Sequence, residues 1–255
     1  MKIINLGTSH GDATMTRYHS STLIETNGNY YLVDAGEPVS ATLIRRGILP
    51  AQISAGFITH LHTDHCGGLP VLLEQAHKYR RKYPELHPEF LLPEERGVRA
   101  FQAWAEACRF DSCFETSVVR SYLPGVIFDD GVLKVTAFPN SHLPVSATGE
   151  VASYSFRVET KDRRIFFTGD LSSNYSDFNL EAANGSDLVY SELTHYPLEK
   201  ALPTLKRLSA GKLIFYHLHN PWQTSEGAAL VLKCCKEAGL PFPVSLAFDG
   251  LETIL

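Results

Sequence analysis

Short apolar runs rich in β-branched and aromatic residues, separated by turn-forming clusters, dominate the chain. They predict strands at 2–6, 21–25, 29–33, 54–59, 132–138, 152–159, 164–167, 188–191, 212–216 and 244–248. Asn27 and Gly28 mark a hairpin turn between the second and third of these. Apolar residues recurring at helical spacing predict helices at 39–46, 69–83, 94–109, 198–208 and 225–238. Strands lead in each half and helices are interspersed, an order that favours sheets covered by helices. The stretch 74–124 reads differently, as a helix-rich insertion within one domain of 1–255. It either lies over a site or packs as surface helices.

Composition narrows the class. The 255 residues are 44% apolar and 20% charged, an ordinary globular balance, and the formal charge of −5 argues against charge-driven adhesion to nucleic acid or anionic membrane. No apolar run approaches the roughly 20 residues that span a bilayer, and the N-terminus does not read as a signal peptide. The five cysteines, Cys66, Cys108, Cys113, Cys234 and Cys235, are odd in number and lack CxxC spacing. They argue against a disulfide framework or a cysteine-based zinc ribbon, and a reducing cytoplasm fits.

The chemistry concentrates in "THLHTDHCGG", residues 59–68. An apolar strand ends at Thr59, and the turn beyond it can aim His60 and His62 at one ion and Asp64 and His65 at another. Imidazole nitrogen with carboxylate oxygen suits zinc, manganese or ferrous iron. Further ligand types stand at other strand ends: His142 in "FPNSHLP", Asp170 in "IFFTGD" and His217 in "KLIFYHLHNP". Cys66 follows a ligand directly but reads as a buried small side chain, and Cys234 and Cys235 read as packing residues on a helix.

"HLHTDH" followed by "SH", "TGD" and a late strand-end histidine resembles the metallo-β-lactamase superfamily with its HxHxDH motif. The opening "LGTSHGDATMTRYHSSTLIETNGNYYLVDAG" and the ending "AFDGLETIL" look more narrowly like the ribonuclease Z and phosphodiesterase branch. The resemblance implies an α/β fold, an αββα sandwich of two mixed β-sheets flanked by helices. It implies one ion on His60, His62 and His142, a second on Asp64, His65 and His217, and Asp170 between them. Asp34 would then support the ligand loop rather than bind metal, and a homodimer would be in keeping with the family. Three features depart from that branch. Ala13 stands where proline is expected, the arm that grips transfer RNA has no clear counterpart, and the "HST" proton-donor histidine is missing. A small or nucleotide-like phosphodiester is therefore expected ahead of structured RNA. Asp170 stands where true β-lactamases commonly carry cysteine, which argues against antibiotic hydrolysis.

The expected reaction is phosphodiester hydrolysis by hydroxide bridging two divalent ions, zinc foremost, with manganese or iron as alternatives. Asp64, His195 and Glu192 are the candidate catalytic residues. His195 or His219 would protonate the leaving alkoxide, with Glu192 orienting His195, or both histidines are solvated loop residues or supports; Arg17 would meet a substrate phosphate or form a structural ion pair. Hydrolysis of a thioester or lactone is the nearest alternative. A mononuclear iron redox enzyme and a non-catalytic metal-binding member stand behind it.

Overall fold

The parallel strand pairs of this chain need crossover connections of a dozen or more residues, which the helices supply. We describe a computed structural model whose described residues are 1–255 apart from Ala13, 146–148 and Glu150. The departure noted at Ala13 lies outside them. The chain divides into two units. One comprises Met1–Gly7, Met15–Tyr122 and Asp249–Ile254, and the other Thr8–Thr14, Leu123–Phe248 and Leu255.

The first unit holds β1 (Lys2–Gly7), β2 (Ser21–Thr26), β3 (Asn29–Val33), β4 (Ile53–Phe57), β5 (Glu89–Leu92), β6 (Val118–Ser121) and the last strand, β14 (Glu252–Ile254). They form one sheet in the order β14-β1-β2-β3-β4-β5-β6. The β14-to-β3 side is antiparallel, and β3 to β6 run parallel. The β2–β3 hairpin turns at Asn27 and Gly28, whose φ values of 50° and 82° suit the primed turn that a right-twisted ribbon requires. Helix α1 (Val39–Arg45) links β3 to β4, α2 (Thr63–Cys66) and α3 (Leu69–Tyr79) link β4 to β5, and α4 (Glu95–Cys108) links β5 to β6. Their apolar faces close a core around Leu32, Leu43, Leu69, Leu72 and Phe90, all 0% exposed.

The second unit repeats this plan. Its strands β7 (Gly125–Asp129), β8 (Lys134–Pro139), β9 (Tyr154–Glu159), β10 (Arg164–Phe167), β11 (Leu188–Leu193), β12 (Leu213–Leu218) and β13 (Val244–Leu246) lie in the order β13-β12-β11-β10-β9-β8-β7. The β7-to-β10 side is antiparallel and the rest parallel. Helices α5 (Leu180–Ala183), α6 (Leu198–Leu205) and α7 (Ser225–Glu237) make the crossovers. Phe166, Phe215, Leu193, Ala201 and Val231 anchor a separate core. Two mixed sheets of seven strands, each carrying helices, are the elements of the expected αββα class.

Segment 74–124, expected as a helical insertion, contains α4 but also β5 and β6, and these strands extend the first sheet. Helix α3 stops at Tyr79, and Arg80–Lys82 tightens into a 3-10 turn short of the expected end. Among the described residues no helix is long and apolar enough to cross a membrane.

Candidate metal centre

In a parallel array every strand delivers its following loop to the same edge. In the first unit β3 delivers Asp34 and β4 delivers Thr59 and the ligand loop. Residues His60 to His65 do not remain an open loop. His62 adopts an extended conformation ahead of α2, and its carbonyl accepts the N–H of His65 at 3.0 Å and of Cys66 at 3.1 Å. That single turn sets Asp64 beside His65, with Oδ2 3.4 Å from Nε2. The Asp34–Gly36 turn seats it from below, where Ala35 N–H donates to the His65 carbonyl at 2.7 Å. A Cβ at Gly36 would stand 2.2 Å from the Asp64 carbonyl oxygen, so only glycine permits the approach.

Hydrogen bonds fix which imidazole nitrogens face inward. The buried Asp34 carboxylate accepts the Thr59 N–H at 2.8 Å and the Thr59 hydroxyl at 3.0 Å through Oδ1, and pairs with His65 Nδ1 at 2.8 Å through Oδ2. His65 therefore donates from Nδ1 and keeps a lone pair on Nε2. The Thr59 hydroxyl spends its one proton on Asp34, so at 3.1 Å it must accept from His60 Nδ1. His60 thus also turns an Nε2 lone pair outward. A carboxylate or hydroxyl behind the ring is the usual support of a metal-binding histidine. The rings of His60 and His62 lie 4.6 Å apart, and those of His60 and His65 4.1 Å apart. His62 alone of the four is exposed.

The second unit gathers His142, Asp170, His195 and His217 from the ends of β8, β10, β11 and β12. The Nε2 atoms of His142, His195 and His217 stand 3.7, 3.7 and 3.6 Å from one oxygen, Asp170 Oδ2. Hydrogen bonds of this kind are about 2.7–3.2 Å long. Donors about 2.0–2.2 Å from a shared tetrahedral ion lie about 3.3–3.6 Å from one another. The 3.7 and 3.6 Å separations of His142 and His217 from Asp170 are too long for hydrogen bonds and close to the spacing of ligands that share a cation.

The scaffold behind these groups is polar and satisfied. Asp177 accepts the Ser141 N–H at 2.8 Å and the Ser172 hydroxyl at 2.6 Å, tying the His142 turn to the Asp170 turn. Asn140 reaches the Thr168 carbonyl at 3.2 Å from the same side. Glu192, 0% exposed, accepts the Leu171 N–H at 3.0 Å and the Thr194 N–H at 2.7 Å, and its Oε1 pairs with His195 Nδ1 at 3.0 Å. His195 must then donate from Nδ1, and its Nε2 faces Asp170. Glu192, His195 and His217 also cluster tightly enough to ligate. Because both Glu192 oxygens already hold donors, we read that carboxylate as a support for the ring. Beneath it, Ser191 bridges the Tyr175 and Tyr196 hydroxyls at 3.3 and 3.0 Å, and burial pushes both phenols well up.

Two supporting or ligand positions carry backbone strain, Asp34 at φ 61° and His217 at φ 48°. Left-handed conformations away from glycine are uncommon and concentrate at functional sites. Cys66 is buried, its thiol pushed up to about 12 chiefly by that burial, and Sγ lies 3.5 Å from the Leu61 carbonyl, as a packing residue should. Cys235 is likewise buried, while Cys234 is partly exposed. Arg17 is partly buried, which lowers its pKa, while the charge of Asp249 works in the opposite direction.

Within each unit, then, the sequence-derived ligands come together. Sequence reading missed the supporting groups Thr59, Asn140, Thr168 and Asp177. For Asp177 the Ser/Asn/Asp-rich stretch 172–177 was the visible signal, since such side chains favour local turns; the other three had none.

Residues 15–217 match the model of the metallo-beta-lactamase superfamily. Over 167 residues the chain is 30% identical to Ribonuclease BN of Escherichia coli O1:K1, a match covering 64% of this chain and 51% of that protein. The chain thus spans about half the length of the curated relatives it matches. The human short form of tRNase Z is similar in structure, with a TM-score of 0.76, 22% identity and coverage of 100% and 99% of the two chains. The metallo-beta-lactamase fold protein YhfI of Bacillus subtilis gives 0.78 at 18% identity, covering 99% and 98%. A diphosphatase of the PhnP family gives 0.75 at 19%, covering 100% and 97%.

Proposed function

Because the chain belongs to the metallo-beta-lactamase superfamily, whose members here include metal-dependent hydrolases, we propose that it is a dinuclear phosphodiesterase. The observation that carries this reading is the pair of imidazoles, His142 and His217, whose Nε2 atoms stand 3.7 and 3.6 Å from one Asp170 oxygen. We assign His60, His62 and His142 to one ion and Asp64, His65 and His217 to the other, with Asp170 between them. Zinc is the first choice for this N/O donor set. Such a pair of ions supplies an acidified water and positive charge for the phosphoryl oxygens.

The protein's own part follows from the geometry. Asp34 and Thr59 hold His65 and His60 in the tautomers that leave Nε2 available. Asp64 and Asp170 would offset part of the charge of the two cations. His195 is not assigned as a ligand. Its side chain is 29% exposed where His142 and His217 are nearly buried, so it can meet a substrate. With Nδ1 on Glu192, a protonated His195 gives its Nε2 proton to the departing alkoxide. The relatives support a phosphoryl substrate, since a ribonuclease, a tRNase and a diphosphatase are among them. A nucleotide-like diester is favoured over structured RNA. A cytoplasmic location and a homodimer complete the proposal.

Purified protein supplied with zinc or manganese should hydrolyse bis(p-nitrophenyl) phosphate and lose that activity to a chelator. Turnover of a lactone or thioester with none of the diester would replace this reading with that of an ester hydrolase.

A further inference from the structure

Beyond His217 the chain builds a second polar feature that the reaction above does not use. Residues 8–12 and the turn after β12 are sewn together. Leu218 N–H donates to the Thr8 carbonyl at 3.0 Å, and Ser9 bridges Leu218 in parallel register. Gln223 Nε2 donates to the Leu218 carbonyl at 2.7 Å and to Ser9 Oγ at 3.3 Å. Pro221 stiffens the turn, and Trp222 packs on the core of this unit.

His10, 4% exposed, stands in the middle of this seam. Its Nδ1 accepts the Asp12 N–H at 3.3 Å, so its Nε2 carries the proton and donates to Asn220 Oδ1 at 3.0 Å. That bond fixes the amide's orientation. Asn220 is exposed, and with its oxygen committed to His10 its NH2 group offers two donors. His219 is also exposed, with its ring 5.2 Å from that of His10. Asn220 follows His217 by three residues, so the two Cα atoms are at most about 11 Å apart. A group attached to a phosphoryl held at His217 falls within that reach.

We infer that Asn220, locked by His10 and flanked by His219, is a subsite for the leaving group that binds an oxygen acceptor on it. The inference rests on the phosphodiesterase reading and names what that reading leaves open. A buried histidine that orients one surface amide holds its donors in a set direction, which favours groups that place a strong oxygen acceptor there. Beyond the ribose oxygens that all nucleoside leaving groups share, a second phosphate and a pyrimidine carbonyl each add a strong oxygen acceptor that adenosine lacks.

The test uses the metal-loaded full chain and four substrates: bis(p-nitrophenyl) phosphate, diadenosine monophosphate, diuridine monophosphate and diadenosine 5′,5′-diphosphate. The KM of either the diphosphate or the diuridine compound should lie about tenfold below that of diadenosine monophosphate, the effect of one hydrogen bond. Whichever is favoured identifies the source. Asn220→Asp and His10→Ala should erase that preference while kcat on bis(p-nitrophenyl) phosphate stays within about twofold. His10→Gln, which keeps a donor toward Asn220, should retain part of it. A preference unchanged in Asn220→Asp, or no preference in the wild type, overturns the subsite while the phosphodiesterase stands. A wild type inert toward all four substrates overturns both.

Discussion

Replacing Asp34 with asparagine separates metal support from folding. Asp34 is 1% exposed, and its carboxylate holds the Thr59 N–H and hydroxyl on one oxygen and His65 Nδ1 on the other. Asparagine keeps the volume, and its oxygen can still accept the Thr59 N–H at 2.8 Å. Its NH2 group then points at His65 Nδ1, a donor facing a donor. The cheapest relief moves the His65 proton to Nε2, the nitrogen assigned to the ion. Metal affinity should therefore fall about 10–100-fold, the usual cost of losing such a support, or about 1.4–2.8 kcal/mol. Stability of the metal-free protein should fall by only about 1–3 kcal/mol, since charge-assisted hydrogen bonds to a carboxylate are exchanged for neutral ones. Competition with a chromophoric chelator measures the first quantity and thermal melting without metal the second. A variant that binds zinc as tightly as the wild type refutes the tautomer argument. A variant that fails to fold without metal refutes the separation of the two roles.

Other perturbations probe the remaining parts. His195→Ala should slow a diester with a methoxide leaving group about 10²–10⁴-fold yet barely slow p-nitrophenolate release, because only the poor leaving group needs the proton; steady-state rates on the two ester classes decide it. Asp177→Ala removes the acceptor of the Ser141 N–H and the Ser172 hydroxyl, so it should cost about 1–3 kcal/mol in a denaturant melt and lower metal occupancy. The Cys66 thiol, raised to about 12 by burial, adds stability that is complete below the unfolded cysteine pKa and is lost as pH climbs from about 9 to about 12. Melting temperature should fall across that window, less so in Cys66→Ala, and iodoacetamide at pH 8 should label exposed Cys108 before Cys66.

The site was more legible in the sequence than the sheets that carry it. Ligand-type residues are chemically conspicuous, and "HLHTDH", "TGD" and "FYHLH" each lie at the end of an unbroken apolar run rich in β-branched and aromatic residues. The four strands that escaped are short or poorly buried. β5 has four residues and follows a proline-bracketed polar stretch, β6 alternates exposed and half-buried positions at the sheet edge, β7 buries one residue of its five, and β14 has three residues. Their pairing is decided by neighbours far along the chain, for which no local pattern speaks. Turn α2 escaped for a related reason, because His, Thr and Asp are indifferent helix formers. Its four residues are held by the Asp34–Gly36 turn, a partner well upstream of them in the chain. The role of Glu192 was readable because it stands three residues before His195, whereas Asp177 acts on Ser141, 36 residues away.

The most direct measurement is anomalous diffraction from crystals of the zinc-loaded protein. Two peaks about 3.5–4 Å apart, one within ligand distance of His60, His62 and His142 and the other of Asp64, His65 and His217, with Asp170 reaching both, are the predicted result. A single peak, or peaks that leave either group of histidines without an ion, contradicts the account.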